Sequence, residues 1–394
     1  MSKPKSTLAL GLEAFLADPF DVVARETRLA VLMNQASVDR SFRYAHTLIG
    51  ARLPGTLKAL LSPQHGLFSE QQDNMIESSH GMANGLPVWS LYSETRKPRP
   101  EMLRDIDVLV VDLQDVGTRV YTYVWTLLYC LEACAAAGVT VLVLDRPNPI
   151  GCDLVEGPLL DPNFASFVCL HAIPMRHGLT LGELARLIDH ERAIGADLRV
   201  VAMPGYSRSM LWSDLGLAWV PTSPNMPRFE TAQVYPGQVL LEGTNLSEGR
   251  GTTTPFEIFG APWLDPQSLL RTLERFELEG CQLRPIRFEP TFHNFAKAGC
   301  GGLFVHVTDA RRFRPYRTTL AILAGIGELW PEHFAWRLPP YEYETEKMPI
   351  DILHGNAELR IRLAGKVTAR DLDALACCPA EAWWTRVRPH LLYG

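Results

Sequence analysis

The chain has 394 residues, 47% hydrophobic and 21% charged, and a net charge of -6. That length suits two domains with substantial cores, and neither the net charge nor any Lys/Arg stripe gives the footprint of a nucleic-acid binder. No run is long enough to span a membrane, and the N-terminal residues before Glu13 hold too few apolar side chains for a signal-peptide core, so a cytoplasmic protein is expected.

Four short apolar runs come first, at 29–33, 57–61, 108–111 and 139–144. Continuous runs without alternation fit strands covered on both faces, as in a parallel sheet between helices. Each stops at polar residues: Asn34-Gln35, Ser62-Pro-Gln-His65, Asp112-Leu-Gln-Asp115 and Asp145-Arg-Pro-Asn148. In a parallel sheet these ends share one edge, where open α/β sheets bind ligands. A helix is expected over 121–137, ended by Gly138, and another over 181–193, with Thr180 and Glu183 spaced as a capping box. A strand follows at 197–203. The Pro-, Trp- and Asn-rich stretch 204–236 contains the end of this α/β domain. Beyond it, helices at 266–278, 316–329 and 380–391 and a strand at 303–307 suggest a smaller α+β domain.

The first strand is not followed by G-x-G-x-x-G, and Walker A, HExxH and G-x-S-x-G are absent. The eight cysteines form no CxxC pair or finger spacing, so no metal site, disulfide framework or cofactor is expected. The chemistry must come from carboxylates, amides, His and Arg. The loop after the second strand gathers His65, Glu70 and Asp73, and burial can raise a Glu toward working pH; the structural alternative is a His that caps the loop and a solvated Glu. Gln114, Asp115, Arg119 and Tyr121 could hydrogen-bond a sugar, or Asp112 or Asp115 could pair with Arg119 at the helix start. Arg146 and Asn148 lie in a Pro-stiffened loop, and Arg176 and His177 precede a helix N-terminus. The loops 221–227, with Asn225, and 242–251, with Asn245, Glu248 and Arg250, are expected to border the crevice.

Six motifs in order carry a resemblance: Ser62-Pro-Gln-His-Gly66, Val88-Trp-Ser-Leu-Tyr-Ser-Glu-Thr-Arg-Lys-Pro98, Asp112-Leu-Gln-Asp-Val-Gly-Thr-Arg-Val-Tyr-Thr-Tyr123, Leu144-Asp-Arg-Pro-Asn-Pro-Ile-Gly151, Ser223-Pro-Asn-Met-Pro227 and Leu241-Glu-Gly-Thr-Asn-Leu-Ser-Glu-Gly-Arg-Gly-Thr-Thr253. Together they resemble the NamZ-type exo-β-N-acetylmuramidase family from about Gly11 to Tyr393. The resemblance implies a Rossmann-like catalytic domain over 1–232, a smaller domain over 233–394 completing the cleft, and release of N-acetylmuramic acid or a related amino sugar from non-reducing ends of peptidoglycan fragments in cell-wall recycling. Better-known members carry Pro-Glu-His-Gly where this chain has Gln64, and Gln cannot exchange a proton as a carboxylic acid does.

The expected site therefore has Glu70 as general acid or base, His65 and Asp115 assisting, and Gln64 holding substrate or water. Asn34, Gln35, Asp112, Gln114, Arg119, Tyr121, Arg146, Asn148, His177, Asn225, Asn245 and Glu248 would bind the sugar. Arg176 or Arg250 would pair with its lactyl carboxylate. The alternative reading is a muropeptide- or glycan-binding protein that has lost hydrolysis.

Overall fold

A computed structural model describes residues 8–72 and 76–394. Seven strands form one sheet: β1 (Leu29–Met33), β2 (Leu57–Ser62), β3 (Gly81–Ala83), β4 (Leu86–Ser90), β5 (Val108–Asp112), β6 (Thr140–Leu144) and β7 (Leu198–Val201), in the order β3-β4-β2-β1-β5-β6-β7. Every pairing is parallel except β3 with β4. The expected apolar runs are thus strands, covered on both faces. In β1, Ala30 and Leu32 face one core, while Leu29, Val31 and Met33 face the other. The second core is closed by α1 (Gly11–Ala17) and α2 (Ala45–Arg52). The first is covered by α3 (Tyr123–Ala137) and α4 (Leu181–Glu191). Each such side chain contributes roughly 1.5–3 kcal/mol on burial.

The sequence signals that end these helices act as expected. Gly138 follows α3 in the left-handed region with φ 68°, and Thr180 and Glu183 form the capping box of α4. Two strands of this sheet escape the reading of apolar runs, as do Ile258–Ala261 and Cys281–Phe288 later in the chain. Strands β3 and β4 form a hairpin around Asn84 and Gly85, both with positive φ, and β4 contains Pro87, which breaks its apolar pattern.

The later chain holds a three-stranded antiparallel sheet, β8 (Ile258–Ala261), β9 (Cys281–Phe288) and β10 (Cys300–Val307), ordered β8-β10-β9. The fold is therefore a mostly parallel α/β sheet with a smaller antiparallel sheet and its helices. Helix Pro266–Leu273 is shorter than expected, and helix Ala380–Val387 gives way to a 3-10 turn before Pro389, which cannot supply a helical N–H. The expected division between 232 and 233 falls inside helix Phe229–Gln238. That helix packs on helix Pro315–Leu329, with Gly237 against the Pro315 carbonyl and Gln238 Nε2 donating to Thr319 Oγ1 at 2.8 Å. No described helix is long and apolar enough to cross a membrane.

Candidate active site

A cleft opens where the carboxyl ends of the sheet meet the later chain. From the first part come Gln64 and His65 after β2, Tyr121 to Tyr123 at the start of α3, and Ser223 and Asn225; from the second come Tyr235, Glu242, Arg250, Phe256, Tyr341 and Glu342.

Glu342 sits on a tight turn. Tyr341 and Glu344 exchange two backbone hydrogen bonds of 2.9 Å, so Glu342 and Tyr343 occupy the turn centre with φ of 46° and 66°. Asn and Gly favour such positions; a Glu and a Tyr there cost of order 1–3 kcal/mol each and mark a candidate functional site. The Glu342 side chain is buried, and its carboxyl accepts from Tyr92 Oη at 2.9 Å. Burial first, and then the nearby Glu242 charge, push this carboxyl up to about 7, against the hydrogen bonds of Tyr92 and Gln64 and the charge of Arg250.

Glu242 has a contrasting environment. Arg250 Nη2 donates to its Oε1 at 2.9 Å and Tyr341 Oη to its Oε2 at 2.6 Å. Arg250 Nη1 also donates to Glu248 Oε1 at 2.9 Å, and the guanidinium lies 4.9 Å from the Phe256 ring centroid. Burial would raise Glu248, but the His293 hydrogen bond and the Arg250 charge hold it down at about 2. One cleft therefore contains an arginine-paired carboxyl and a second carboxyl disposed to carry a proton near neutrality, the arrangement general acid catalysis requires.

Models of the family described as exo-beta-N-acetylmuramidase NamZ match the chain over residues 29–230 for the N-terminal part and 233–393 for the C-terminal part. The chain belongs to the NamZ family. It is 42% identical over 371 residues to the peptidoglycan beta-N-acetylmuramidase NamZ of Bacillus subtilis, covering 94% of this chain and 87% of that one. Two crystal structures of DUF1343 family proteins from Bacteroides fragilis are similar in fold. One has a TM-score of 0.88 at 30% identity, covering 99% of this chain and all of the other; the second has 0.74 at 27%, covering 98% and 99%. As a NamZ family member the chain is a glycosidase, a hydrolase of glycosyl bonds.

Within this NamZ chain, five of the expected residues line the cleft: Gln64, His65, Tyr121, Asn225 and Arg250. Gln64 Oε1 accepts from Thr122 Oγ1 at 2.7 Å. The His65 Nδ1–H donates to the Gln71 carbonyl at 2.7 Å, and His65 and Gly66 share left-handed backbone. Tyr121 Oη donates to Thr222 Oγ1 at 2.7 Å, and Asn225 Nδ2 to the Gln72 carbonyl at 2.8 Å. Asn34 and Gln35 stand behind this wall: Asn34 Nδ2 donates to the Thr222 carbonyl and to Tyr123 Oη, Gln35 Nε2 to the Pro221 carbonyl.

The remaining expected residues lie elsewhere. Glu70 is on an exposed turn outside the cleft; its Oε2 accepts from the Phe68 N–H at 3.2 Å and it borders a separate recess with Ser78 and Met82. Asp73 lies outside the described residues. Asp112 and Arg146 form a buried ion pair at 2.5 Å, and Arg146 and Gln114 line a different recess. Asp115 Oδ2 accepts from the Gly117 N–H at 2.7 Å and lies 3.4 Å from His177 Nε2. Arg119 donates to four carbonyls, those of Pro158, Ile173, Leu353 and His354. Asn148 donates to the Leu179 carbonyl, Arg176 to that of Ile150 and Asn245 to that of His333. Glu248 reaches the cleft through Arg250. Asp115, Arg119, Asn148, Arg176 and Asn245 thus hold loops together, with Arg176 also bordering a third recess beside Ile150.

Sequence reasoning passed over Tyr92, Tyr341 and Glu342, and gave Glu242 no role although it opens an expected loop. Tyr92 belongs to a quoted motif without a role. Tyr341-Glu-Tyr-Glu344 follows Pro339-Pro340, and an acidic-aromatic repeat after two prolines is a usable turn signal, but no apolar run leads up to it.

Proposed function

We propose that this glycosidase removes N-acetylmuramic acid, or a closely related amino sugar, from the non-reducing end of peptidoglycan fragments, with Glu342 as general acid and the arginine-paired Glu242 as its partner. The reading rests on one observation: Glu342 is buried on a left-handed turn in the same cleft as the Glu242–Arg250 pair. Glycosidases commonly work with one protonated and one ionised carboxyl group flanking the scissile bond. Glu342 would protonate the leaving-group oxygen as its bond to the anomeric carbon breaks, water would add to that carbon and lose a proton, and Glu242 would face the positive charge that develops there. Gln64, His65, Tyr121 and Asn225 would hydrogen-bond the sugar. The peptidoglycan substrate of the B. subtilis relative supports the choice of sugar. A cytoplasmic setting is supported by eight free cysteines, since disulfides persist in oxidising compartments.

The test is sugar release from N-acetylmuramyl-N-acetylglucosamine and from a 4-nitrophenyl muramide. Glu342→Gln is expected to lower kcat at least about 100-fold on the disaccharide and much less on the nitrophenyl glycoside, whose leaving group needs no proton. Equal losses on both sinks the acid role. Tight binding of the disaccharide by the unaltered protein with no sugar released would instead assign a binding function.

A further inference from the structure

The motif from Val88 to Pro98 leaves β4 at Ser90 and runs to the turn that carries Glu342. Tyr92 is fully buried, its N–H bonded to Ser90 Oγ at 3.1 Å and its hydroxyl donating to Glu342 Oε2 at 2.9 Å. The Arg96 guanidinium packs against two aromatic rings at the corner they form, 4.5 Å from the Tyr92 centroid and 4.2 Å from that of Tyr343, the residue after Glu342. Its Nη1 donates to the Ser93 carbonyl at 2.6 Å, which fixes the guanidinium in this stack. The two rings stand 6.1 Å apart at 69°. A partly desolvated Tyr–Arg–Tyr stack of this kind is stiff, because cation–π attraction adds to the packing.

Resting on the assignment of Glu342 as the acid, we propose that Tyr92 and Arg96 are positioning residues, which reach over from the β4 side and hold the Glu342 carboxyl in its productive orientation. Tyr92 fixes one carboxyl oxygen, and Arg96 locks Tyr92 to the turn residue Tyr343. Neither need touch substrate. Other groups facing Glu342 are Gln64 from the β2 end and Glu242, Arg250, Tyr235 and Tyr341 from the later chain. Among these Tyr92 is the group with a described hydroxyl donation to Glu342. A hydroxyl donated to a carboxylate favours the ionised form. Its removal therefore leaves the acid protonated to higher pH.

The experiment measures kcat and KM against pH on the disaccharide for Tyr92→Phe and Arg96→Met, beside titration of Glu342 by NMR in protein carrying 13C at the Glu carboxyls, with Glu342→Gln identifying the signal. Tyr92→Phe is expected to lower kcat about 10- to 100-fold, leave KM within about twofold, and move the basic limb upward by about half a unit or more. Arg96→Met moves it the same way by less. A loss of kcat with an unmoved basic limb and an unmoved NMR titration overturns the proposal, as does a fall expressed in KM alone. A moved NMR titration with an unmoved kinetic limb overturns the acid assignment and leaves the Tyr92–Glu342 coupling standing. If Tyr92→Phe fails to fold, Arg96→Lys, which keeps the charge and loses the flat stacking surface, carries the same readouts.

Discussion

Gln64 faces Glu342 across the cleft: its carbonyl oxygen accepts from Thr122 Oγ1 at 2.7 Å, and its side chain favours the ionised form of the Glu342 carboxyl. Gln64, where the motif resemblance leads one to expect Glu, thus stands in the same cleft as the buried carboxyl. Gln64→Glu would place a second carboxyl against Glu342, and like charges resist joint ionisation. The basic limb of the pH profile is expected to rise by about one unit, with kcat at pH 6 retained within about tenfold. A gain above about 100-fold would return the catalytic role to position 64.

Glu70 offers the converse test. Its carboxyl lies on an exposed turn outside the cleft, so Glu70→Gln is expected to change kcat/KM on the disaccharide by less than about threefold, in line with substitutions at exposed positions. A loss as large as that of Glu342→Gln would move the acid to this turn.

Folding stability should report the buried acid independently of turnover. The Glu342 carboxyl rises from an ordinary 4.5 to about 7, chiefly through burial. A raised acid contributes its full stability below the unfolded value and loses it as pH rises through the folded one, because the native state must then ionise a buried group. Between pH 5 and pH 8 the native protein is expected to lose on the order of 2–3 kcal/mol relative to Glu342→Gln. Urea unfolding at both pH values measures this. A gap that does not change with pH contradicts it.

Arg119 is expected to matter for stability rather than for sugar binding. Its guanidinium is buried and donates to carbonyls of the first part, at Pro158 and Ile173, and of the second, at Leu353 and His354. Arg119→Met would leave these carbonyls without their donor, each orphaned group costing about 1–3 kcal/mol before water enters. Thermal melting should show a large loss of stability. A melting point within a degree or two of the unaltered protein would contradict the clamp.

The sequence carries the central strands because β1, β5 and β6 are buried on both faces, and hydrophobicity alone marks that state. Their polar ends do gather along one edge, yet most turn inward. Asp145, for example, accepts from Thr180, Gly182 and Tyr393 and so pins α4 and the C-terminus to the sheet. From sequence, a carboxylate that binds a loop and one that binds a ligand look alike, because the difference lies in partners supplied by distant residues. The β3–β4 hairpin was readable from Asn84-Gly85, a strong turn signal, although Pro87 hides the strand beside it. Glu342 was hidden for another reason: its chemistry arises from a strained turn and from Tyr92, 250 positions away.

The cleft takes Gln64, His65 and Tyr121 from the sheet side and both Glu242 and Glu342 from the later chain. During synthesis Gln64, His65 and Tyr121 emerge long before Glu342. On the proposed roles a chain that stops before Glu342 lacks its acid, so the cleft becomes chemically complete only when synthesis is nearly finished.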